Sequence, residues 1–538
     1  MLKRLFNFRL IFIWLALFFS GTALHSQEKY WVFFKDKNTA DLFNEKEYFD
    51  IKAIQKRTRH NLTLNDSLCW PLDPRYVALV KQIAEGINQE SRWLNAVSVF
   101  ATPGQVRQLQ NLDCVKLVQQ ITSSSRLAGS AIIGPDGENV ELMEFQTERM
   151  QGSRFHQAGY TGEGIRIAVF DAGFPGVEEH PAFRHLMQNG RIIDTYDFIK
   201  KRKNVFYSSA HGTAVLSCIA GRYTVPDEPD SLVFMGLAQD AEFLLAKTER
   251  GFTEFISEED NWIAAMEWAE RLGADIISSS LGYTSHRYFS EEMDGQTSWL
   301  SVAANLAASR GILVINAAGN EGQSRWRTVA VPADADSVLA VGATNPYMDA
   351  ATNFSSLGPA SDGRLKPDVS AVGIAAVAVK KGYAVLQGTS FSAPLVAGFA
   401  ACAWQMDTSL SNMELFGLLQ QSGHLHPYFD HSHGYGIPQA GFFLGKDSTI
   451  SPTIMLMQEE ELLVVKIIGA LADSIEKEGD EPKQRNLYYR IETPDNRIRR
   501  YGAVLAETLI PFQFHKDELE NGDIITIHFE GFTTSFIY

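Results

Sequence analysis

Cysteine is scarce in this chain, with only Cys69, Cys114, Cys218 and Cys402 among 538 residues. Scaffolds built on disulfides carry cysteine at a much higher density, so that class of protein is excluded. Cys218 and Cys402 lie in apolar runs with a helical pattern, which favours buried free thiols over a bridge. The spacing of the four cysteines does not match that of metal ligands.

Basic residues are fewer than acidic ones. Lysine and arginine number 48 against 64 acidic residues, which gives a formal net charge of −16. Nucleic acid and anionic membrane surfaces are polyanions, so neither is expected as a main partner. With 45% hydrophobic and 21% charged residues, the chain is otherwise typical of a globular protein that is long enough for two or three domains.

A short apolar run opens the chain. Lys3, Arg4 and Arg9 precede it, the run itself spans 10–20, and small residues follow at 21–23. This order is typical of a secretory signal peptide. We predict that residues 1–26 are removed on export, leaving a mature protein without a membrane span. A retained anchor is the alternative, which the shortness of the run disfavours.

The pattern of hydrophobic residues predicts three further regions. Residues 27–125 alternate strand-like runs with amphipathic stretches and form a predicted α+β domain. The polar, turn-rich segment 122–138 predicts a linker. Residues 450–538 contain strand-like runs without helices, which predicts a small all-β domain.

Residues 140–446 combine continuous apolar runs with helical segments at 261–272 and 299–310. The predicted strands are 165–170, 242–246, 275–277, 312–315 and 337–341. Buried strands that alternate with helices predict an α/β domain, a parallel sheet with helices on both faces. In such folds the functional residues lie in loops at the carboxyl ends of the strands.

Two polar residues of this α/β domain stand out by their position. Asp171 ends the first predicted strand, where a carboxylate faces a site or, alternatively, caps a turn or helix. His211 opens the apolar helical run 214–221. Because a cation is disfavoured at the positive end of a helix dipole, a neutral, functional imidazole fits this position better.

Two later segments supply further candidates. Ser390 follows Gly388 at the start of an apolar helical run and is either a nucleophile or an N-cap. Pro394 is compatible with a first helical turn. Asn320 follows the strand-like run 312–315 and either stabilises a turn or donates to a developing oxyanion.

Together these segments resemble the signatures of the subtilase family of serine peptidases. The resemblance is carried by T-G-E-G-I at 161–165 with D-A-G at 171–173, by H-G-T at 211–213, by N-E-G at 320–322 and by G-T-S at 388–390. The order Asp, His, Ser is that of subtilisin and differs from that of α/β-hydrolases, whose Gly-x-Ser-x-Gly elbow is missing around Ser390. The resemblance covers about 140–446.

The resemblance implies a subtilisin-like α/β fold with Asp171, His211 and Ser390 as catalytic triad and Asn320 as oxyanion donor. It also implies two backbone walls that bind substrate as an added strand, formed by Ser280, Leu281, Gly282 and by Ala317, Ala318, Gly319. The 27–125 domain then looks like a propeptide, an intramolecular inhibitor removed by maturation near 120–140. Its alternative is a permanent N-terminal domain.

The predicted function is that of a secreted or cell-surface serine endopeptidase that acts on protein or peptide substrates. A non-catalytic exported binding protein that retains the fold is the alternative. The 450–538 domain is similar in position to sorting domains of exported bacterial proteases, and an accessory binding module is equally open.

No cofactor is predicted, and calcium, frequent in the family, is left unassigned. Histidines at 424, 426, 431 and 433 offer zinc ligands, but the intervening segment 427–430 is typical of a surface loop. The sequence therefore predicts no metal site at these histidines.

Overall fold

The computed structural model describes residues 27–121, 126–127, 131–132, 139–225, 231–250, 258–284, 289–348, 350–445, 451–459, 462–468, 485–506, 512–515 and 518–538. The predicted signal peptide lies outside these residues. They divide into two compact units, one of residues 27–43 with 65–121 and the other of residues 44–64 with those from 126 onward. In this part of the chain, no helix is long and apolar enough to cross a membrane.

The strands are numbered in chain order. They are β1 (Glu28–Phe34), β2 (Gln89–Ser91), β3 (Ala96–Ala101), β4 (Val115–Gln120), β5 (Arg126–Leu127), β6 (Ala131–Ile132), β7 (Arg166–Asp171), β8 (Ile192–Asp197), β9 (Arg222–Thr224), β10 (Leu232–Phe234), β11 (Glu242–Lys247), β12 (Ile276–Ser279), β13 (Leu281–Gly282), β14 (Leu313–Ala317), β15 (Val338–Thr344), β16 (Val369–Val372), β17 (Ile374–Ala378), β18 (Tyr383–Gln387), β19 (Ile454–Glu459), β20 (Leu462–Ile467), β21 (Asn486–Glu492), β22 (Ile498–Leu505), β23 (Phe512–His515), β24 (Ile524–Phe529) and β25 (Phe532–Ile537).

The α-helices are numbered in the same way. They are α1 (Glu45–Tyr48), α2 (Ile51–Arg59), α3 (Pro74–Ile83), α4 (Pro103–Gln110), α5 (Val140–Glu148), α6 (Gly152–Gln157), α7 (Arg184–Gln188), α8 (His211–Ala220), α9 (Glu259–Arg271), α10 (Trp299–Ser309), α11 (Thr389–Met406), α12 (Asn412–Gln421) and α13 (Ala440–Phe443).

The first unit is an antiparallel sheet in the order β2-β3-β1-β4 with helices α3 and α4. Both helices begin at proline after a capping side chain: Asp73 accepts from the Arg75 amide, and Thr102 forms a capping box with Gln105. Val97 and Leu109 are among the apolar residues of its core. The unit is the α+β structure that the sequence predicts.

The second unit is built on a parallel sheet in the order β16-β15-β14-β12-β7-β11-β8, which confirms the predicted α/β fold. Successive residues of β7 face different helices. Ile167 and Val169 share a core with α8 and α11, whereas the ring of Phe170 contacts that of Trp262 in α9. This alternation is the period of a strand that is covered on both sides.

The C-terminal region is all-β, as predicted. It contains an antiparallel sheet in the order β19-β20-β23 and a second in the order β22-β21-β24-β25. Ile454, Val465, Leu487 and Ile525 belong to one apolar core that both sheets share.

Segment 427–430 is not a surface loop, so that prediction is wrong. Tyr428, Phe429 and Asp430 are all buried. The Tyr428 hydroxyl donates to the carbonyl of Tyr489 in β21 at 2.9 Å, and Arg490 donates to the carbonyl of Phe429 at 2.8 Å. A β-strand more than fifty residues later thus covers a segment that the sequence alone places in a surface loop.

The predicted linker 122–138 also holds ordered pieces. Residues 126–127 form β5 and pair antiparallel with β13, and residues 131–132 form β6 and pair antiparallel with β18. The other residues of the linker lie outside those described. Such pairing uses backbone groups, which the side-chain pattern does not reveal.

Candidate active site

Asp171 ends β7 at the carboxyl edge of the parallel sheet, where the sequence predicts functional groups. Its side chain is 1% exposed, and its Oδ1 accepts a hydrogen bond from the Ala172 amide at 2.7 Å. The carboxylate is thereby held in a fixed orientation beside the neighbouring helix α8.

His211 is the first residue of α8 and pairs with Asp171. Its Nδ1 lies 2.9 Å from Oδ2 and 3.0 Å from Oδ1 of the carboxylate. The next residue, Gly212, allows this approach, since a Cβ there would lie 2.5 Å from the Gly173 carbonyl oxygen and 2.9 Å from the Asp171 Cβ. Burial lowers the pKa of His211, but the charge and hydrogen bond of Asp171 outweigh it, and the pKa is raised above 6.5.

Ser390 is the second residue of α11, and it does not act as an N-cap. Gly388 occupies the N-cap position with a φ of +149°, and the Ser390 Oγ makes no hydrogen bond to any described residue. The hydrogen bond that an N-cap serine would make is therefore absent among the described residues. The hydroxyl is buried and unpartnered, which demands another explanation.

Pro394 lies beyond the first turn of α11, because the helix begins at Thr389. A proline at this position cannot donate the usual helical hydrogen bond to the carbonyl of Ser390. The Ser280 hydroxyl donates to that carbonyl instead, at 2.9 Å. The hydrogen bond that the proline leaves open thus connects the Ser390 backbone to the residue that follows β12. The prediction that Pro394 stands in the first turn is wrong.

Asn320 has a fixed amide orientation. Its Oδ1 accepts from the Thr389 amide and from the Thr389 hydroxyl, both at 3.0 Å. The Nδ2 group therefore points away from Thr389, and it is buried without a hydrogen-bond partner in the described part of the chain. Thr389 thus fixes the orientation of this amide and leaves its donor end unpaired among the described residues.

Three buried polar atoms without a partner among the described residues belong to the predicted site: His211 Nε2, Ser390 Oγ and Asn320 Nδ2. A buried polar atom left unpaired costs about 1–3 kcal/mol. The site therefore carries a base, a hydroxyl and a hydrogen-bond donor that are all available to a bound molecule.

The predicted substrate walls lie beside this group. Leu281 and Gly282 form β13, and Ala317 ends β14. The side-chain amide of Asn316 donates to the carbonyls of Leu281 and Ala317, at 2.8 and 2.9 Å, and so ties the two walls together. Gly319, at a φ of +109°, leaves no room for a Cβ beside the Ser356 hydroxyl.

Glu249 is a residue of the site region that the sequence pattern did not indicate. It follows β11 two residues after Lys247 and is buried. Burial, followed by the charges of Asp171 and Glu258, raises the pKa of its carboxyl group well above the usual value. Its position just past a strand end, at the same edge of the sheet as Asp171, is the signal that could have identified it.

No group of three or more metal-ligating side chains occurs within the described ranges. The histidines at 424, 431 and 433 lie close in sequence but make other contacts: His433 pairs with Asp430 at 3.0 Å, and the Nδ1 of His424 accepts from the Ile437 amide. The four cysteines are free and buried, as expected for Cys218 and Cys402.

Comparison with known proteins identifies two families along the chain. Residues 162–436 match the model of the subtilase family, and residues 29–131 match the Peptidase S8 propeptide domain of Bacteroidota. Subtilisin BL from Lederbergia lenta is 30% identical over 273 residues, which are 50% of this chain and 86% of the relative. Subtilisin E from Bacillus subtilis (strain 168) is 29% identical over 304 residues, 56% of this chain and 70% of the relative.

The chain is therefore a serine-type endopeptidase that belongs to the subtilase family. It carries an N-terminal propeptide domain of the Bacteroidota type.

Proposed function

We propose that this protein is an exported endopeptidase whose catalytic triad is Asp171, His211 and Ser390. The observation that carries the proposal is the Asp171–His211 pair, at 2.9 Å, together with an unpartnered Ser390 hydroxyl. A hydrogen-bonded carboxylate fixes the tautomer of the imidazole, so that Nε2 is the basic atom.

In the proposed reaction, Ser390 Oγ attacks the carbonyl carbon of the substrate peptide bond while His211 Nε2 takes the proton of the hydroxyl. The imidazolium then returns this proton to the leaving amine, and an acyl-enzyme forms on Ser390. Water, activated by His211, hydrolyses the ester in the second half of the reaction. Asp171 stabilises the imidazolium throughout.

Asn320 is the proposed oxyanion donor. Because Thr389 engages its Oδ1, the amide nitrogen is left to donate to the negative oxygen of the tetrahedral intermediate. Preorganisation of this kind stabilises the transition state more than the bound substrate, so its removal lowers kcat. The corresponding loss in subtilisin, a relative of this chain, is about 10²- to 10³-fold.

The substrate is proposed to bind as an extended strand between the walls 280–282 and 317–319. This is supported by β5, a piece of the chain itself that pairs antiparallel with Leu281 and Gly282. Backbone pairing accepts many sequences, which suits an enzyme that acts on proteins. Small and glycine-rich walls leave room for a large apolar side chain on the substrate residue that precedes the cleaved bond.

The propeptide is proposed to occupy the cleft until the chain is cut between residues 127 and 131. Support comes from the strand pairings on either side of this interval: β5 pairs with β13, which follows Ser280, and β6 pairs with the end of β18, three residues before Ser390. The interval lies within the range 120–140 that the sequence predicts for maturation. Residues 1–26 are proposed to direct export, and 450–538 to serve in sorting or as an accessory module.

The proposal is tested by incubating the purified chain with casein and with a chromogenic peptide. Ser390→Ala is the principal variant, and Ser392→Ala, which alters a buried hydroxyl in the same helix that donates to the Val372 carbonyl, is the matched control. We expect hydrolysis by the wild type and by Ser392→Ala, but none above background by Ser390→Ala.

An inert wild type, after its N-terminal part has been removed, would instead favour the non-catalytic binding protein. Equal hydrolysis by wild type and Ser390→Ala would refute the assignment of the nucleophile while leaving the family intact. N-terminal sequencing of the active product also reports where the chain has been cut.

A further inference from the structure

Residues 44–64 lie within the propeptide match but belong to the compact unit that contains the active site. We call this segment, which contains α1 and α2, the anchor. Both of its ends continue into the other unit, at residues 43 and 65. The chain thus leaves the first unit, adds two helices to the second and returns.

A cluster of ion pairs holds α2 in place. Lys52 Nζ lies 3.0 Å from a carboxylate oxygen of Glu242 and 2.8 Å from the carbonyl oxygen of Gly164. Asp50 lies 3.3 Å from Arg166, which itself pairs with Glu242 at 2.9 Å. Cations and anions alternate across this contact, which fixes its register.

A second ion pair is buried. Arg57 bonds to Glu270 of α9, and the two side chains are 1% and 2% exposed. Lys56 is also buried and donates to the carbonyl of Ala274. Charged side chains are rarely buried unless they are paired, so these cations are placed for this one partner surface.

The backbone of the anchor also packs closely. Gly273, with a φ of +73°, follows the end of α9, and a Cβ at this residue would lie 2.6 Å from the Ala53 nitrogen. Gly311, with a φ of +74°, follows the end of α10, and a Cβ there would lie 3.1 Å from a methyl group of Leu62. The glycines that follow two helices thus allow the anchor to approach closely.

The contact lies far from the cleft. Arg166 and Glu242 are the first residues of β7 and β11, whereas Asp171 is the last residue of β7. At about 3.3 Å per residue, the six residues of β7 separate the two ends by about 16 Å. The anchor therefore binds the edge of the sheet opposite the active site and cannot itself block the catalytic residues.

From these contacts we propose that the anchor holds the N-terminal fragment on the peptidase unit after the chain has been cut between residues 127 and 131. The N-terminal fragment is then held at a surface remote from the active site, whether or not β5 occupies the cleft. This inference rests on the proposed maturation cut. The partner of the surface formed by Glu242, Glu270 and Gly273 is a segment of the same chain.

The test makes the cut independent of the protein's own activity. In the full chain carrying Ser390→Ala, residues 128–130 are replaced by a recognition sequence for an added, sequence-specific protease. After this cut, the two fragments are followed by native mass spectrometry and by size-exclusion chromatography under dilution. We expect them to remain together.

Retention alone could also come from β5 in the cleft, so a pair of variants decides the matter. Lys52→Glu places a carboxylate against Glu242 and Asp275, whereas Arg59→Glu makes the same charge change on the exposed side of the same helix. We expect the Lys52→Glu fragment to dissociate at least about tenfold faster than the Arg59→Glu fragment, since only Lys52 contributes to the ion pairs. Equal dissociation rates would overturn the proposal.

If Lys52→Glu does not fold, Leu62→Ala, which shortens the side chain that faces Gly311, replaces it with the same expected order of rates. Hydrogen exchange of the amides of α2 gives a second readout: they stay protected after the cut if the anchor remains bound. Rapid exchange in the cut Arg59→Glu protein would also contradict the proposal. Failure of the wild type to mature by itself would count against the proposed function but leave this test unaffected.

Discussion

Thr389 illustrates how a neighbouring side chain orients a group that we propose to be catalytic. Its hydroxyl and its backbone amide both donate to Asn320 Oδ1 and so determine which end of that amide faces the site. This role is invisible in the sequence, where Thr389 reads only as part of a family signature. Ser280 and Asn316 act similarly, on the Ser390 carbonyl and on the two proposed substrate walls.

Substitution Thr389→Val should lower kcat with little change in KM. Loss of one neutral hydrogen bond is worth about 1 kcal/mol, so we expect a drop of about fivefold, because the remaining backbone amide still orients Asn320. Steady-state kinetics on a peptide substrate measures it. A large rise in KM at unchanged kcat would show that Thr389 contributes to substrate binding instead.

Substitution Asp171→Asn should both slow the reaction and move its pH dependence. His211 must be neutral to accept the Ser390 proton, and Asp171 raises its pKa above 6.5, so the wild type gains activity as the pH rises through that higher value. In the variant only burial remains, which lowers the pKa, and the acid limb moves to lower pH. We expect about a 10⁴-fold loss of kcat.

The pH profile of kcat/KM is measured for the wild type, for Asp171→Asn and for Asp334→Asn. Asp334→Asn is the control, since Asp334 is also a buried carboxylate but bonds to Ser301 and Gly295. An unshifted acid limb in Asp171→Asn would mean that another group sets the titration of the base.

At the scale of elements, the sequence predicted five of the seven strands of the parallel sheet to within three residues and missed β8 and β16. Continuous apolar runs such as 165–170 are fully buried in β7, because parallel strands covered on both faces need apolar side chains on both. The residues Asp171, His211 and Ser390 could be placed at strand and helix ends for the same reason. Local pattern and tertiary position agree there.

The anchor, in contrast, could not be predicted. Lys56 and Arg57 have the pattern of solvated cations on an exposed helix, yet both are buried against residues more than 200 positions later in the chain. Hydrophobic periodicity describes how apolar a helix face is, not which surface covers it. The same reason explains why 427–430 is buried although the sequence predicts a surface loop there.

Gly212 lies in the first turn of α8 and packs against the end of β7, and Gly212→Ala should disturb this contact. A Cβ at residue 212 would lie 2.5 Å from the Gly173 oxygen and 2.8 Å from the Phe174 ring, so α8 must shift and carry His211 with it. A displacement of about 1 Å in a catalytic group costs about 10²-fold in rate. We expect a loss of this size in kcat.

Gly417→Ala provides the control for that substitution. Gly417 lies in α12 with open space around it, its nearest neighbour being an atom of Gln421 at 3.9 Å. Alanine there should stabilise the helix by about 0.5–1 kcal/mol and leave activity unchanged. Comparable activity losses in both variants would indicate that helix glycines tolerate no change in general.

At the scale of the second unit, the sheet in the order β22-β21-β24-β25 packs against segment 424–436. Tyr428 contacts Tyr488 and His528, and it bonds to the backbone of β21. Burial lowers the pKa of His528 to about 4. The region therefore holds a histidine that resists protonation in the folded state.

His528 should make stability fall with acid. Because its folded pKa, about 4, is below the unfolded value of 6.5, its contribution is present above pH 6.5 and is lost as the pH falls toward 4. The expected slope is at most about 1.4 kcal/mol per pH unit. Denaturant unfolding between pH 7 and 4 should give a shallower slope for His528→Gln than for the exposed His426→Gln, and identical slopes would contradict this account.

The proposed mechanism depends on one nucleophile, and covalent labelling tests that residue most directly. The wild-type chain, His211→Ala and Ser390→Ala are treated with a fluorophosphonate, and the adduct is located by peptide mass spectrometry. Because the reagent needs a serine activated by a base, we predict a single adduct on Ser390 in the wild type and none in either variant. An adduct on another residue, or an unlabelled Ser390 in a preparation that hydrolyses casein, would contradict the proposed triad.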